Sequence, residues 1–239
     1  MEKEYVQKYA ELYHHHWWWR AREEIIVDTL RRTFGPNRSL KILDVGCGDG
    51  LFFDRLSSFG TVEGVEPEAE AVSAENPHRS KIHLCGLEEF SPQTPFGLVL
   101  LLDVLEHLEN PAEYLQLALS KLAPGGKALI TVPAFQSLWT THDDLNHHRT
   151  RYSKCCFHKL ADAAGMVIEE QRYLFHWVFF AKLLVRAKEA VLGSKPQPPG
   201  IPAAPINTVL RGTTIGEYKV ARRLNLPFGG SLMVVGRKA

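Results

Sequence analysis

The chain has 239 residues, 45% of them hydrophobic and 23% charged, which is typical of a globular protein that buries a sizeable core. This length suits one α/β domain with additions. The formal net charge of +1 argues against a nucleic-acid-binding surface, because such surfaces carry an excess of basic residues.

Strand and helix patterns alternate along most of the chain. The N-terminal pattern predicts a helical region, and apolar runs separated by glycine and proline predict the elements that follow. In chain order we expect helix 3–34, strand 41–45, helix 51–59, strand 61–65, helix 69–74, strands 81–84 and 97–102, helix 111–122, strand 127–132, helix 154–164, strand 167–173, helices 175–192 and 206–224, and strand 231–237. The alternation predicts a mostly parallel sheet with helices on both faces.

The sharpest motif follows the first predicted strand. Asp44 is at the end of that strand, and Gly46, Gly48 and Gly50 let the loop turn tightly and approach a ligand. The spacing is G-x-G-x-G, which counts against the G-x-G-x-x-G loop of dinucleotide-binding proteins. Glu66 closes the second strand, where a carboxylate can accept hydrogen bonds from ribose hydroxyls. The two carboxylates and the loop predict a site for a nucleoside that carries a cationic amine.

These residues resemble the signature of the class I S-adenosylmethionine-dependent methyltransferases. The resemblance implies a Rossmann-like fold with seven strands and S-adenosylmethionine as cofactor, with S-adenosylhomocysteine as product. It also implies contacts from the loop after the third strand and from the segment after the fourth. The implied cofactor-binding residues are Asp44, Gly46, Cys47, Gly48, Gly50, Glu66, Gly86, Leu87, Asp103 and Val104.

The resemblance divides the chain into four parts. We expect an N-terminal helical cap at 1–38, ended by a glycine–proline–asparagine turn, and a cofactor-binding core at 39–174. A helical insert with a proline-rich linker at 194–205 then occupies 175–225, and the final strand at 226–239 completes the core sheet.

A dense polar and aromatic cluster follows the fifth strand. It resembles a methyltransferase subgroup with the pattern L-W…D…H-x-x-R-Y, which also carries an H-W-W-x-x-x-R element before the first strand. We expect His148 to act as general base with Asp143 as its orienting partner, and His107 to be a further catalytic candidate. The residues expected to contact the acceptor are Trp17, Trp18, Arg22, Trp139, His147, Arg151 and Tyr152.

A structural interpretation of the same cluster stays open. Arg151 and Asp143 can form an ion pair that pins the loop, Tyr152 can belong to the core, and His107 is more often structural than catalytic in such a place. No resident metal is expected, because the histidine runs lack the i, i+4 spacing of a helical metal site.

The remaining expectations concern the cellular compartment of the protein and the contacts of its helical insert. Four cysteines without a C-x-x-C pair, and a charged rather than apolar start, predict reduced thiols in a cytoplasmic protein. The insert is a candidate for an acceptor pocket, a homodimer contact or a weak contact with a membrane surface, since helix 175–192 combines an apolar face with lysine and arginine.

The leading hypothesis is a methyltransferase that acts on a small-molecule or glycan- or lipid-linked acceptor, with O-methylation favoured over N-methylation. The alternative is a non-enzymatic protein that binds S-adenosylmethionine or S-adenosylhomocysteine for regulation or assembly. A nicotinamide-dependent oxidoreductase is a third hypothesis, and the glycine spacing argues against it.

Overall fold

The computed structural model describes residues 3–35, 39–192 and 199–239, with only the backbone described for residues 3–8. Seven strands form one sheet in the order β3-β2-β1-β4-β5-β7-β6. Their bounds are β1 Leu40–Val45, β2 Gly60–Val65, β3 Ile82–His83, β4 Phe96–Leu102, β5 Leu122–Pro133, β6 Met166–Leu174 and β7 Ser231–Lys238. The first five strands pair in parallel, and β7 lies antiparallel between β5 and β6. The predicted Rossmann-like seven-stranded fold is therefore confirmed.

The strand register brings the expected site residues to one edge of the sheet. Asp44 of β1 lies opposite Gly64 of β2 on one side and Leu100 of β4 on the other. The loops that follow these strands therefore start at the same level. In open α/β sheets, ligands bind in the crevice beyond these carboxyl ends.

The helices cover both faces of the sheet. Their bounds are α1 Lys3–His15, α2 Trp17–Phe34, α3 Phe53–Leu56, α4 Pro111–Ser120, α5 Thr141–Leu145, α6 Lys154–Ala164, α7 His176–Leu192 and α8 Ala204–Ala221. One buried cluster joins the sheet to α4 and α6, and the other joins its opposite face to α2 and α3. Strand β4, with the sequence FGLVLLL, contributes side chains to both clusters, which explains its continuous apolar character.

Two predicted helices are wrong in extent. The pattern at 51–59 forms only the four residues of α3, and the Ser57 hydroxyl bonds back to the Phe53 carbonyl at its end. The pattern at 69–74 forms one 3₁₀ turn, Ala69–Ala71. It ends there because the Ser73 backbone N–H donates to Asp49 rather than to a helix carbonyl.

The predicted N-terminal helix is two helices that meet at His16. The His16 backbone is extended, and its imidazole Nδ1 accepts a hydrogen bond from the Trp18 backbone, so that it caps α2. The Asn207 side chain of α8 bridges the break, accepting from the Trp17 backbone N–H and donating to the His15 carbonyl. The proline–asparagine end of the cap and part of the linker at 194–205 lie outside the described residues.

Helix α7 is the most exposed of the long described helices. Only His176 at its start is buried, and Phe180, Leu184 and Val191 are 55%, 74% and 81% exposed. Among the described helices, none has the length and hydropathy to cross a bilayer.

Candidate active site

The loop after β1 presents its backbone to open space at Gly48. Gly46, Gly48 and Gly50 have φ angles of 69°, 52° and 61°, which glycine adopts without strain. A Cβ atom on Gly48 would meet nothing within 4 Å, whereas one on Gly46 would lie 3.0 Å from the Val104 side chain. The loop therefore packs against the segment after β4 at Gly46 and leaves room for a ligand beside Gly48.

The Glu66 carboxylate joins the end of β2 to this loop. Its two oxygens accept hydrogen bonds from the backbone N–H of Gly48 at 2.9 Å and of Glu68 at 3.0 Å. Burial raises the pKa of Glu66, and the two backbone hydrogen bonds act in the opposite direction. Each carboxylate oxygen has a further lone pair, with which it can accept a hydrogen bond from a ribose hydroxyl.

Asp44 is a buried carboxylate that has no partner among the described residues. It is 4% exposed, and it makes no side-chain hydrogen bond or ion pair to any residue that the structure describes. Burial raises its pKa to about 7, an effect that Arg22 opposes and Glu66 adds to. An unpaired buried carboxylate is costly, and a cationic amine beside it would remove that cost. The loop, Asp44 and Glu66 together fit the amine and ribose of the expected cofactor.

The expected adenine-side loop follows β3. The Leu87 side chain is fully buried in the core, and its neighbour Gly86 is partly exposed. A Cβ atom on Gly86 would lie 2.6 Å from the carboxylate of Glu88, so that the small residue allows this close approach. Backbone contacts from Gly86 and Leu87 to the cofactor stay a prediction, as does the role of Cys47, a half-buried thiol whose pKa is raised by burial.

The N-terminal cap reaches the strand ends through Arg22. Its guanidinium lies 2.7 Å from the Asp103 carboxylate and donates to the Thr131 hydroxyl at 3.0 Å. Thr131 in turn donates to Asp103 at 3.0 Å. The guanidinium also lies 5.5 Å from the centre of the Trp18 ring, in cation–π contact. Arg22 therefore connects α2 to both β4 and β5 at the edge where the cofactor loop begins.

The segment after β4 turns sharply and buries an acidic side chain. Asp103 has a φ of 59°, and a 3₁₀ turn follows at Leu105–His107. Glu106 is fully buried, and neither carboxylate oxygen has a hydrogen-bond partner among the described residues. Burial raises the pKa of Glu106 well above its usual range, and the nearby Asp103 adds to this. Local sequence patterns did not indicate this burial.

The expected catalytic pair is connected to a buried arginine. The His148 imidazole Nδ1 lies 2.8 Å from one oxygen of Asp143, and both Asp143 oxygens accept from Arg151 at 2.8 and 3.0 Å. Arg151 also donates to the Ala134 carbonyl at 3.0 Å. Asp143 and Arg151 are almost completely buried, so these contacts orient His148 and at the same time fix the loop to the end of β5.

Other predicted acceptor residues are held in place by protein contacts. Tyr152 is buried, and its hydroxyl donates to the Leu105 carbonyl at 3.1 Å. The Trp139 indole donates to Asp144 at 2.9 Å. Trp17 lies 5.2 Å from Trp177 between ring centres. His147 is exposed, with a φ of 55°. Acceptor contacts for these side chains stay predictions.

The sequence places Lys182 among the cations of helix 175–192 and does not place it at the candidate site. The structure places it near Asp143 and Arg151, and burial together with the Arg151 charge lowers its pKa to about 8. It forms no ion pair within 4.0 Å of an acid in the part of the chain that the structure describes. Lys182 lies on an apolar helix far along the chain from Asp143 and Arg151, so no sequence pattern indicates that it is near them.

Comparison with known proteins identifies the family of this architecture. The family model described as "Methyltransferase domain" matches residues 18–171. A protein named ubiquinone biosynthesis O-methyltransferase from Bradyrhizobium diazoefficiens is 33% identical over 99 residues. That match covers 38% of this chain and 39% of the relative, so it spans well under half of the curated protein.

Solved structures agree on the fold at low sequence identity. An S-adenosylmethionine-dependent methyltransferase from Archaeoglobus fulgidus has a TM-score of 0.56 and 18% identity, covering 90% of this chain and 94% of that one. A structure described as the [4+2]-cyclase SpnF has a TM-score of 0.57 and 17% identity, covering 92% of this chain and 82% of that one. At this level of sequence identity, the structural similarities show a shared fold and nothing about activity.

Proposed function

The chain belongs to the S-adenosylmethionine-dependent methyltransferase family, and from this premise we propose that it transfers a methyl group to a hydroxyl group of a small-molecule acceptor. The family model spans 64% of the chain, including the glycine loop and the segment after the fifth strand. Membership confirms the family predicted from the sequence, and S-adenosylmethionine is the cofactor of that family. The preference for oxygen rests on the relatives that are named O-methyltransferases.

One observation carries the proposal. The unpartnered Asp44 carboxylate, the open backbone at Gly48 and the Glu66 carboxylate occur together at the carboxyl ends of β1 and β2. Asp44 would hold the amine of the cofactor, and Glu66 would hold the ribose hydroxyls. When bound, S-adenosylmethionine supplies a methyl group that is already activated on a sulfonium sulfur.

The task of the remaining residues is to place the acceptor and to assist loss of its hydroxyl proton. We infer that His148 gives this assistance, because Asp143 fixes its Nδ1 and leaves Nε2 for the acceptor side. His107 lies beside it, with ring centres 4.9 Å apart. Arg151 is a positioning residue in this scheme, since three of its five N–H donors bond to Asp143 and Ala134 and its side chain is only 1% exposed.

The aromatic residues of the cap would close the site. Trp18 packs on Phe175 with 5.5 Å between ring centres, and Trp17 packs on Trp177 of α7. The cap and the insert therefore meet beside the strand ends, where closure excludes water from the reaction.

The experiment that tests the proposal measures cofactor binding and transfer separately. Calorimetry with S-adenosylmethionine and S-adenosylhomocysteine should show binding that weakens at least tenfold in Glu66→Ala, with NADH as a negative control. Glu63→Ala is the matched control, because Glu63 lies on the same strand and pairs with Lys41 and His83.

Transfer is then followed as S-adenosylhomocysteine formed with hydroxyl-bearing aromatic and saccharide acceptors. Binding without transfer to any acceptor would favour the non-enzymatic alternative. Failure to bind either sulfur compound would contradict the proposal.

The exposed apolar stripe of α7 is a candidate surface for contact with a membrane that carries a lipid-linked acceptor. Phe180, Leu184 and Val191 lie on one side of the helix at i, i+4 and i+11, and the charged side chains of Arg186 and Lys188 are exposed on the same helix. Apolar residues flanked by cations favour an anionic lipid surface. We propose that α7 makes weak contact with such a surface. The alternative is that a second copy of the chain covers the stripe, and the test has to distinguish the two.

A further inference from the structure

Three potential metal ligands converge beside the acceptor side of the cofactor site. Glu106, His107 and His148 each offer one ligand atom, and these atoms all lie within 4.8 Å of one another. The three residues come from two segments, the 3₁₀ turn after β4 and the loop after α5. One carboxylate and two imidazoles are the donor set of several divalent transition-metal sites.

Glu106 provides independent evidence for a missing ligand. Its carboxylate is fully buried, and among the described residues neither of its oxygens has a hydrogen-bond partner. Buried polar groups in folded proteins are almost always satisfied, so each exception needs an explanation. A cation bound between Glu106 and the two histidines would supply the absent partner.

The contacts behind His148 are those of a metal-ligating histidine. Its Nδ1 is held by Asp143 at 2.8 Å, which leaves Nε2 as the nitrogen that can bind a cation. Metal-ligating histidines usually bond a carboxylate through their other nitrogen, which fixes the orientation of the ring. Asp143 is itself fixed by two hydrogen bonds from Arg151.

We propose that Glu106, His107 and His148 bind one divalent transition-metal cation, with further coordination positions left for water or acceptor oxygen. Three protein ligands with open positions are the arrangement of catalytic rather than structural zinc sites. The consequence for the reaction rests on the proposed function: a cation here lowers the pKa of an acceptor hydroxyl that coordinates it. His148 then acts as a ligand of the cation and not as the base. The hydroxyl proton leaves to solvent water, the oxygen attacks the methyl group, and S-adenosylhomocysteine is the leaving group.

The test measures metal binding directly. The full chain, freed of metal with a chelator, is titrated with Co²⁺ by visible absorption and with Zn²⁺ by calorimetry. We expect one cation per chain, and at least tenfold weaker binding in His107→Ala, His148→Ala and Glu106→Gln. His147→Ala is the matched control for metal affinity, because His147 is adjacent in sequence and outside the cluster.

Glu106→Gln adds a second measurement, the melting temperature with and without Co²⁺, which separates a metal ligand from a residue with only a structural role. It keeps the size of the side chain but removes a carboxylate ligand, so the metal-free variant should melt at about the same temperature as the metal-free parent and should lose the rise in melting temperature that Co²⁺ binding produces in the parent. Circular dichroism and S-adenosylmethionine binding confirm that each variant is folded.

The outcomes separate this inference from the proposed function. The metal site would be overturned if the parent bound no stoichiometric cation, or if parent and variants bound Co²⁺ with equal affinity. If methyl transfer then persisted in the presence of chelator, the proposed function would stand, with His148 as base. Metal binding without methyl transfer to any acceptor would support the site and contradict the proposed function.

Discussion

Arg22 of α2 forms an ion pair with Asp103 after β4, at 2.7 Å, and the arginine side chain is 11% exposed while the aspartate is 28% exposed. The same guanidinium donates to Thr131 on β5. One side chain of the N-terminal cap therefore contacts the ends of two central strands. The cap is thus held to the edge of the sheet that carries the candidate site by a partly buried polar contact in addition to apolar packing.

Replacing this guanidinium should loosen the cap. We expect Arg22→Met to lower the free energy of unfolding by about 2 kcal/mol, because Asp103 and Thr131 lose a partly buried partner while the apolar stem is kept. Urea denaturation measures this, and hydrogen exchange should rise in α2.

The control for Arg22→Met is Arg237→Met. Arg237 lies 3.5 Å from Glu169 and is 48% exposed, so its loss should change stability by less than about 0.5 kcal/mol. If the two variants are equally stable, the Arg22 contact is not what secures the cap.

A second prediction separates structural from chemical roles around His148. Asp143→Ala leaves Arg151, a nearly fully buried cation, without its partner, and we expect a loss of about 3–5 kcal/mol in unfolding free energy. His148→Ala removes one hydrogen bond from a ring that is 12% exposed and should cost only about 1 kcal/mol. Thermal denaturation of both variants checks this. An Asp143→Ala protein as stable as the parent would contradict the pinning role.

Sequence patterns predicted the sheet well because its strands are short apolar runs bounded by glycine or proline. The glycine loop was found because positive φ at Gly46, Gly48 and Gly50 strongly favours glycine, and such a preference of the backbone shows in the sequence. Glu66 was found because the end of a buried strand is a fixed place in this architecture.

What failed depended on contacts between distant segments. Helix α5 has the sequence THDDL, which shows no apolar period, and it forms around a capping box between Thr140 and Asp143. The burial of Glu106 and the pairing of Arg22 with Asp103 arise only when the cap and the strand ends meet. Contacts between segments that are far apart in the chain leave no local sequence pattern, so neither the burial of Glu106 nor the Arg22–Asp103 ion pair was predicted.

A third prediction concerns the pH dependence of stability through Asp44. Burial raises its pKa to about 7 in the folded chain, whereas in the unfolded chain it has its ordinary value near 3.8. Between these values the folded state binds the proton more tightly, so stability from this group is full below about pH 4 and is lost as pH rises through 7. Arg22 and Glu66, the charged groups that face it, act in opposite directions.

The measurement for Asp44 compares the parent with Asp44→Asn across this pH range. The parent should lose stability relative to the variant by up to about 4 kcal/mol between pH 4 and 7, as followed by urea denaturation. Cofactor binding near pH 6.5 should release a proton in the parent and none in the variant, which calorimetry in buffers of different ionisation enthalpy detects. A constant stability difference between the two proteins would contradict the raised pKa.

The last prediction tests the lipid contact of α7. The parent should float with vesicles that contain anionic lipid and stay behind with zwitterionic vesicles, and 0.5 M salt should weaken flotation because it screens Arg186 and Lys188. Phe180→Glu with Leu184→Glu places two carboxylates on the exposed apolar stripe and should abolish flotation. Val220→Glu is the control, since Val220 is 65% exposed on α8 and lies outside this stripe. Equal flotation of the double variant would show that another surface binds lipid. A parent that does not float and forms dimers, while the double variant is monomeric by sedimentation, would assign the stripe to a second copy of the chain instead.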